Sequence, residues 1–401
     1  MTELIVGISE LTTNSAELGT IRDAAVIIEG DEIAWVGSRQ NAPAADTRTD
    51  LDGRAVLPGW VDSHTHLLFA GDRSDEFTRR MAGEDYEAGG IASTVAATSA
   101  ATDAELRKRA YAARAEALAS GTTSIEIKTG YALDVAGEAR LARLARELTD
   151  DVTFLGAHVV PPGVNADSYV ATVIGPMLDA VLPHARWIDV FCERGAFDED
   201  QSRAILHAGS AVGLGVRVHG NQLGHGAGVA LAVEFDAASV DHCNYLSNSD
   251  IDALASSQTV ATLLPACDLS TRQPFAPARQ LLDAGVTIAL ASNCNPGTSY
   301  TTSMSYCVST AVLQMGLTIQ EAVLAATLGG AKALRRDSGH GRIGLIEPGS
   351  RADLQALDAP SITHLAYRPG MLLTRNVWHA GQTIDSPNTK TIHLLPSKDE
   401  T

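Results

Sequence analysis

The chain has 401 residues, 45% of them hydrophobic and 19% charged, with a formal net charge of −18. That length exceeds one small domain and suits a large barrel with an accessory module, and the composition fits a globular protein with a sizeable core. The acidic excess argues against nucleic acid or an anionic membrane as a partner; local arginines can still oppose that field around a small anionic substrate.

Residues 3–57 read as short strands and turns. The stretch AAVIIEGDEIAWVGS holds two β-rich runs around Gly30-Asp31, a hairpin signal. From Gly341 the chain reads alike, in GRIGLIEPGSRADLQALDAP and VWHAGQTI. The two ends are expected to meet in one small β-sandwich domain, residues 1–57 with 341–401, and 58–340 to be inserted with its own core. The N-terminal MTELIVGISELTTNS has no basic n-region, and no apolar run is long enough to span a membrane. The five cysteines, Cys192, Cys243, Cys267, Cys294 and Cys307, form no CxxC pair. Their odd count speaks for a reducing cytoplasm rather than a disulfide framework or a cysteine-rich zinc site.

The middle of the chain alternates β-type runs with Ala/Leu/Arg/Glu-rich helical segments such as TDAELRKRAYAARAEALASG and AGEARLARLARELT. Eight strand candidates fall at 59–63, 123–127, 152–156, 187–191, 215–218, 238–241, 259–263 and 287–291. Eight such runs separated by helices indicate an α/β fold, a (β/α)8 barrel of the TIM type. A doubly wound sheet is the runner-up, but no GxGxxG loop follows any strand.

Polar residues gather where these strands end. His64 and His66 follow the first in His-x-His spacing. In a strand that spacing puts both imidazoles on one face, where they can share a metal. Lys128 and Tyr131 follow the second strand, His158 the third, Glu193 the fourth, His219 and Gln222 the fifth, His242 the sixth, Asn293 and Asn295 the eighth. Barrel active sites form at this end. Three imidazoles, His64, His66 and His219, can hold one metal, with His242 as a fourth ligand or a proton carrier. Lys128 reads as a structural ion pair rather than a bridging modified lysine. Arg73 offers a planar fork for a carboxylate, and Tyr86 and Tyr131 offer phenolic hydrogen bonds. In NPGTS, free backbone N–H groups and the Thr298 hydroxyl are expected to face an oxyanion or carbonyl.

The motifs PGWVDSHTH, RVHGNQ, VDHC and GRIGLIEPGSRADL resemble the amidohydrolase superfamily. HTHLLFAGDRSDEF, GTTSIEIKTGYAL, FLGAHVVPP, VFCERGAF and NPGTSYT resemble its imidazolonepropionase family, over nearly the whole chain. The resemblance implies hydrolysis of the ring amide of 4-imidazolone-5-propanoate to N-formimino-L-glutamate, in histidine degradation. It implies one Zn2+ or Fe3+ per chain on His64, His66 and His219 with an acid from strand eight, and His242 as the catalytic proton carrier. It also implies substrate contacts from Arg73, Tyr86, Tyr131, His158, Asn295, Gly297 and Thr298, and a homodimer. Two positions depart from the family pattern. Gln222 stands where a glutamate is usual, and Asn293 stands where an aspartate both ligates the metal and takes a proton from water. The alternatives are a related amidohydrolase or deaminase acting on another small carboxylated heterocycle, or a binding homologue impaired in turnover by Asn293.

Overall fold

The computed structural model describes residues 1–83 and 90–384. Both ends of the chain contribute to one mixed sheet. Its strands are β1 (Thr2–Thr12), β2 (Thr20–Glu29), β3 (Glu32–Ser38), β4 (Thr47–Pro58), β14 (Leu354–Leu357), β15 (Thr374–His379) and β16 (Gln382–Ile384), in the order β16-β15-β14-β4-β1-β2-β3. The β2–β3 hairpin turns at Gly30, whose φ of +63° suits a residue without Cβ. Ile33 N–H donates to Ser350 O at 2.9 Å and Ala352 N–H to Asp31 O at 2.7 Å. The sheet thus folds over on itself around a separate core that includes Ile5, Val26, Val56, Leu354 and Trp378.

The remaining strands are all parallel: β5 (Trp60–Asp62), β6 (Thr122–Ile125), β7 (Ile127–Lys128), β8 (Val152–Ala157), β9 (Trp187–Cys192), β10 (Gly215–Gly220), β11 (Ser239–His242), β12 (Val260–Leu263) and β13 (Ile288–Leu290). β6 and β7 are one stave interrupted at Glu126, so the staves number eight, at the predicted places. Pairing runs unbroken from β7 to β13. The ring closes at its C-terminal end, where Lys128 N–H bonds Thr65 O (2.9 Å), Asn293 N–H bonds His64 O (3.0 Å) and His66 N–H bonds Cys294 O (2.9 Å). Helices α1 (Ser74–Met81), α2 (Ile91–Ala100), α3 (Asp103–Ala119) and α4 (Val135–Arg146) follow the first two staves. The Thr102–Glu105 capping box starts α3, and Asp134 caps α4, each satisfying N–H groups that the helix itself leaves open. Among the described residues no helix is long and apolar enough to cross a membrane, and all five cysteines are free and buried.

Asp268, just after the seventh stave, is almost wholly buried and accepts a 2.7 Å bond from Asn244 Nδ2. Burial pushes its carboxyl up to about 7. A carboxyl raised in the folded state adds stability below its unfolded pKa, and that stability is lost as pH rises through the folded value. Unfolding free energy is therefore expected to fall by about 2 kcal/mol between about pH 5 and pH 7 on this account. Denaturant titrations of Asp268→Asn should lack that share of the slope; an unchanged slope would remove Asp268 as its source.

Candidate active site

Side chains alternate faces along a stave, so the last inward residues of neighbouring staves converge above the barrel. His64, His66, His219 and His242 meet there, each at most 3% exposed. Ring centroids lie 4.6 Å apart for His64–His219, 5.3 Å for His64–His66 and 5.5 Å for His219–His242. Ligand atoms of His64, His219 and His242 all lie within 4.8 Å of one another. His66 borders that group, 5.7 Å from His219, and stacks on His158 at 5.5 Å. The backbone is left-handed at His242 (φ +83°), Cys243 (+58°) and Asn293 (+51°). Such conformations cost about 1–3 kcal/mol each and persist where surrounding structure enforces them.

A buried ion-pair floor lies beneath the histidines. His64 Nδ1 lies 2.7 Å from Asp241, and His219 Nδ1 lies 3.0 Å from Asp189. Lys128 Nζ lies 3.0 Å from Glu126, 2.9 Å from Asp189 and 3.6 Å from Asp241, and Arg217 lies 3.5 Å from Asp241. All five of these charged side chains are fully buried. Burial opposes ionisation of Asp189, but His219 and Lys128 outweigh it and hold the carboxyl low. Asp241 is held low likewise, by Arg217, His64 and Lys128. Burial pulls Lys128 down, yet Asp189 and Glu126 leave it raised. For Glu126 burial wins and the carboxyl is raised. Lys128 is thus an ion-pair residue.

With carboxylates on their Nδ1 atoms, His64 and His219 carry the proton there and aim bare Nε2 lone pairs upward. Burial holds His64 down to about 3 and His66 and His242 well below the usual imidazole range, so these rings stay neutral at ordinary pH. His64 Nε2, His219 Nε2, His66 Nδ1, His242 Nδ1 and Asn293 Oδ1 are buried without a hydrogen-bond partner. Several unsatisfied acceptors at one place would each be costly. They fit a borderline transition metal, which takes neutral imidazole nitrogens and a carbonyl-type oxygen.

The cleft beside this centre is lined by His66, Arg73, Tyr131, His158, Gln222 and Asn295, among others. His158 Nδ1 bonds Gly130 O at 3.0 Å, which turns its other nitrogen toward the cleft. The buried Glu138 carboxylate accepts N–H bonds from Gly130, Ala132 and Leu133, each at 2.9 Å, and so shapes the loop that carries Tyr131. Gln222 places its Nε2 3.9 Å from Cys267 Sγ, and its backbone N–H donates to Glu193. Tyr86 lies outside the described residues. One expectation is corrected. The N–H groups of Gly297 and Thr298 are not free: Asn295 Oδ1 accepts both, at 2.9 and 2.8 Å, and Asn295 Nδ2 lies 2.8 Å from the Thr298 hydroxyl. An asparagine that closes its own turn consumes the donors a bare turn would offer. Thr298 still lines the cleft.

Sequence reasoning missed Asp189, Asp241, Glu126 and Arg217. Their signal is charge inside apolar runs: Arg217 with His219 and Glu126 with Lys128 are pairs at spacing two, and Asp189 and Asp241 are lone carboxylates within their strands. A charge in such a run faces the barrel interior and needs a partner there.

Comparison with known proteins adds three findings. The family model described as "Amidohydrolase family" matches residues 55–384. A curated imidazolonepropionase from Saccharopolyspora erythraea is 65% identical over 94% of this chain and 97% of its own, and one from Streptomyces coelicolor is 57% identical over 94% and 98%. Among solved structures, atrazine chlorohydrolase from Arthrobacter aurescens complexed with zinc superposes with a TM-score of 0.73 at 17% identity, covering 96% of this chain and 95% of that one. An adenosine deaminase from Xanthomonas campestris with bound zinc superposes with 0.71 at 20%, covering 95% and 92%.

Proposed function

The chain belongs to the amidohydrolase family, among the imidazolonepropionases, and on that premise we propose that it hydrolyses 4-imidazolone-5-propanoate to N-formimino-L-glutamate. It is a hydrolase of a cyclic amide C–N bond. The observation that carries the substrate reading is the cluster of unsatisfied histidine nitrogens opening on the same cleft as Arg73. His64, His66 and His219 would hold one Zn2+ or Fe3+, with the unpartnered Asn293 Oδ1 available as a further oxygen donor. When bound, the metal supplies Lewis acidity toward water and the ring carbonyl. His242, neutral and in the same 4.8 Å group, takes the proton of the attacking water and delivers one to the departing ring nitrogen. Asn293 and Gln222 are amides and accept no proton in this role. Arg73 anchors the propionate, while Tyr131, His158, Asn295 and Thr298 line the substrate's path. We place the reaction in the cytoplasm, with the chain working as a homodimer.

Elemental analysis is expected to return about one equivalent of metal per chain, as a single open site requires. Asn293→Asp should retain that metal longer against a chelator, because a carboxylate donates more charge than an amide. The neutral Asn293 favours one second reading, a binding homologue without turnover. A parent inactive on imidazolonepropanoate beside an active Asn293→Asp would establish it in place of the first.

Arg73→Lys is expected to weaken kcat/KM by about 1.5–3 kcal/mol, the value of a charge-assisted hydrogen bond, since an ammonium cannot replace the fork. An analogue without the carboxylate should lose nothing. Equal losses for the two compounds would take Arg73 out of carboxylate recognition.

A further inference from the structure

Glu138 is a buried carboxylate that neither the histidine cluster nor the ion-pair floor uses. It stands in the first turn of α4 and is fully enclosed. Both of its oxygens are spent on the preceding loop. One accepts from the N–H groups of Ala132 and Leu133, the other from that of Gly130, all at 2.9 Å. The backbone is left-handed at Gly130 (φ +106°) and at Leu133 (φ +60°). A leucine keeps that conformation only where its surroundings enforce it.

The bonds at Gly130 and Ala132 hold the peptide units on either side of the one joining Gly130 to Tyr131. That middle unit is thereby fixed, and its carbonyl, Gly130 O, lies 3.0 Å from His158 Nδ1. The packing leaves no slack: a Cβ on Gly130 would stand 2.7 Å from Leu155 O and 3.0 Å from His158 Nδ1. A carbonyl only accepts, so Nδ1 carries the proton, and in the neutral ring Nε2 is an acceptor. His158 lines the cleft and stacks on His66 at 5.5 Å.

We propose that Glu138 is a positioning residue for the substrate: through the Gly130 carbonyl it locks His158 in the Nδ1–H tautomer, so that the cleft presents an acceptor to a ring N–H. The inference rests on the reading of His158 as a residue on the substrate's path. The imidazolone ring brings such a donor. A heterocycle with a bare ring nitrogen at that point would set lone pair against lone pair.

The test uses zinc-loaded protein with isotopically labelled histidine, whose ring-nitrogen NMR signals report the tautomer, and His158→Ala to assign them. The parent is expected to be protonated at His158 Nδ1 and bare at Nε2. In Glu138→Gln an amide donor turns toward one of the three N–H groups, so the tautomer should become mixed. KM for imidazolonepropanoate should rise about tenfold, the scale of one lost buried hydrogen bond. Since the loss is of binding, kcat should change less than about threefold, and about one equivalent of metal should remain. Glu138→Asp draws the oxygens back from the loop and should show the same mixing and the same rise in KM; it serves where the amide variant does not fold. A parent protonated at Nε2, or a tautomer unmoved by the substitution, would overturn the proposal. Loss of metal or of the fold in both variants would do the same, by making Glu138 a structural residue. So would a KM that His158→Ala raises and the Glu138 variants leave alone. A KM unchanged by His158→Ala would instead refute the reading of His158 beneath it.

Discussion

Replacing His242 with alanine is expected to lower kcat by about 10²–10⁴, the usual scale for a general acid–base group, while about one equivalent of metal stays bound. The expectation needs both halves, because His242 lies as close to His64 and His219 as a ligand would. His66→Ala is the control. As a ligand it should lose metal to a chelator much faster than His242→Ala does. Metal analysis and turnover of both variants decide the assignment. If His242→Ala loses the metal and His66→Ala keeps it, the two residues exchange roles. If His242→Ala turns over like the parent, another group moves the proton.

Lys128→Met should cost about 3–5 kcal/mol of unfolding free energy, the scale for removing one partner from a buried ion pair. Lys128 sits among Glu126, Asp189 and Asp241, and without it Arg217 would be the one arginine or lysine left against them among the described residues, beside the imidazoles of His64 and His219. Adding Glu126→Gln should restore part of the loss, since it removes one stranded charge. Denaturant titration of the single and double variants measures both. A loss below about 1 kcal/mol, as for a surface pair, would mean that the floor does not depend on Lys128.

The staves are legible in the sequence because strands buried on both faces read as unbroken apolar runs. Val152–Ala157 and Trp187–Cys192 are buried at every position. The His64–His66 pair is legible because spacing of two fixes a shared face. Other parts are not. Asp189 and Arg217 look like interruptions in a strand until other staves supply their partners: Lys128, two staves away, for Asp189, and Asp241, on the adjoining stave, for Arg217. That His242 approaches His64 and His219 as closely as any ligand depends on its left-handed backbone, which no histidine advertises. The Asn295 turn shows the limit at short range: NPGTS announces a turn, but where the asparagine oxygen points decides whether its N–H groups remain open.

The seam of the barrel also governs how the protein must come together. Ser292 donates from N and Oγ to Asp62, 230 residues away in the chain, and the next residues tie Asn293 to His64 and Cys294 to His66. Contacts so distant in sequence bear a high loop-closure entropy and slow folding. A nascent chain that has made His64 and His66 must wait for seven more staves before the oxygen that faces them exists. The catalytic centre is therefore the last joint to close and the first to report an opening. Slowed amide exchange at His66 and Asn293 would mark the moment when ring closure is complete.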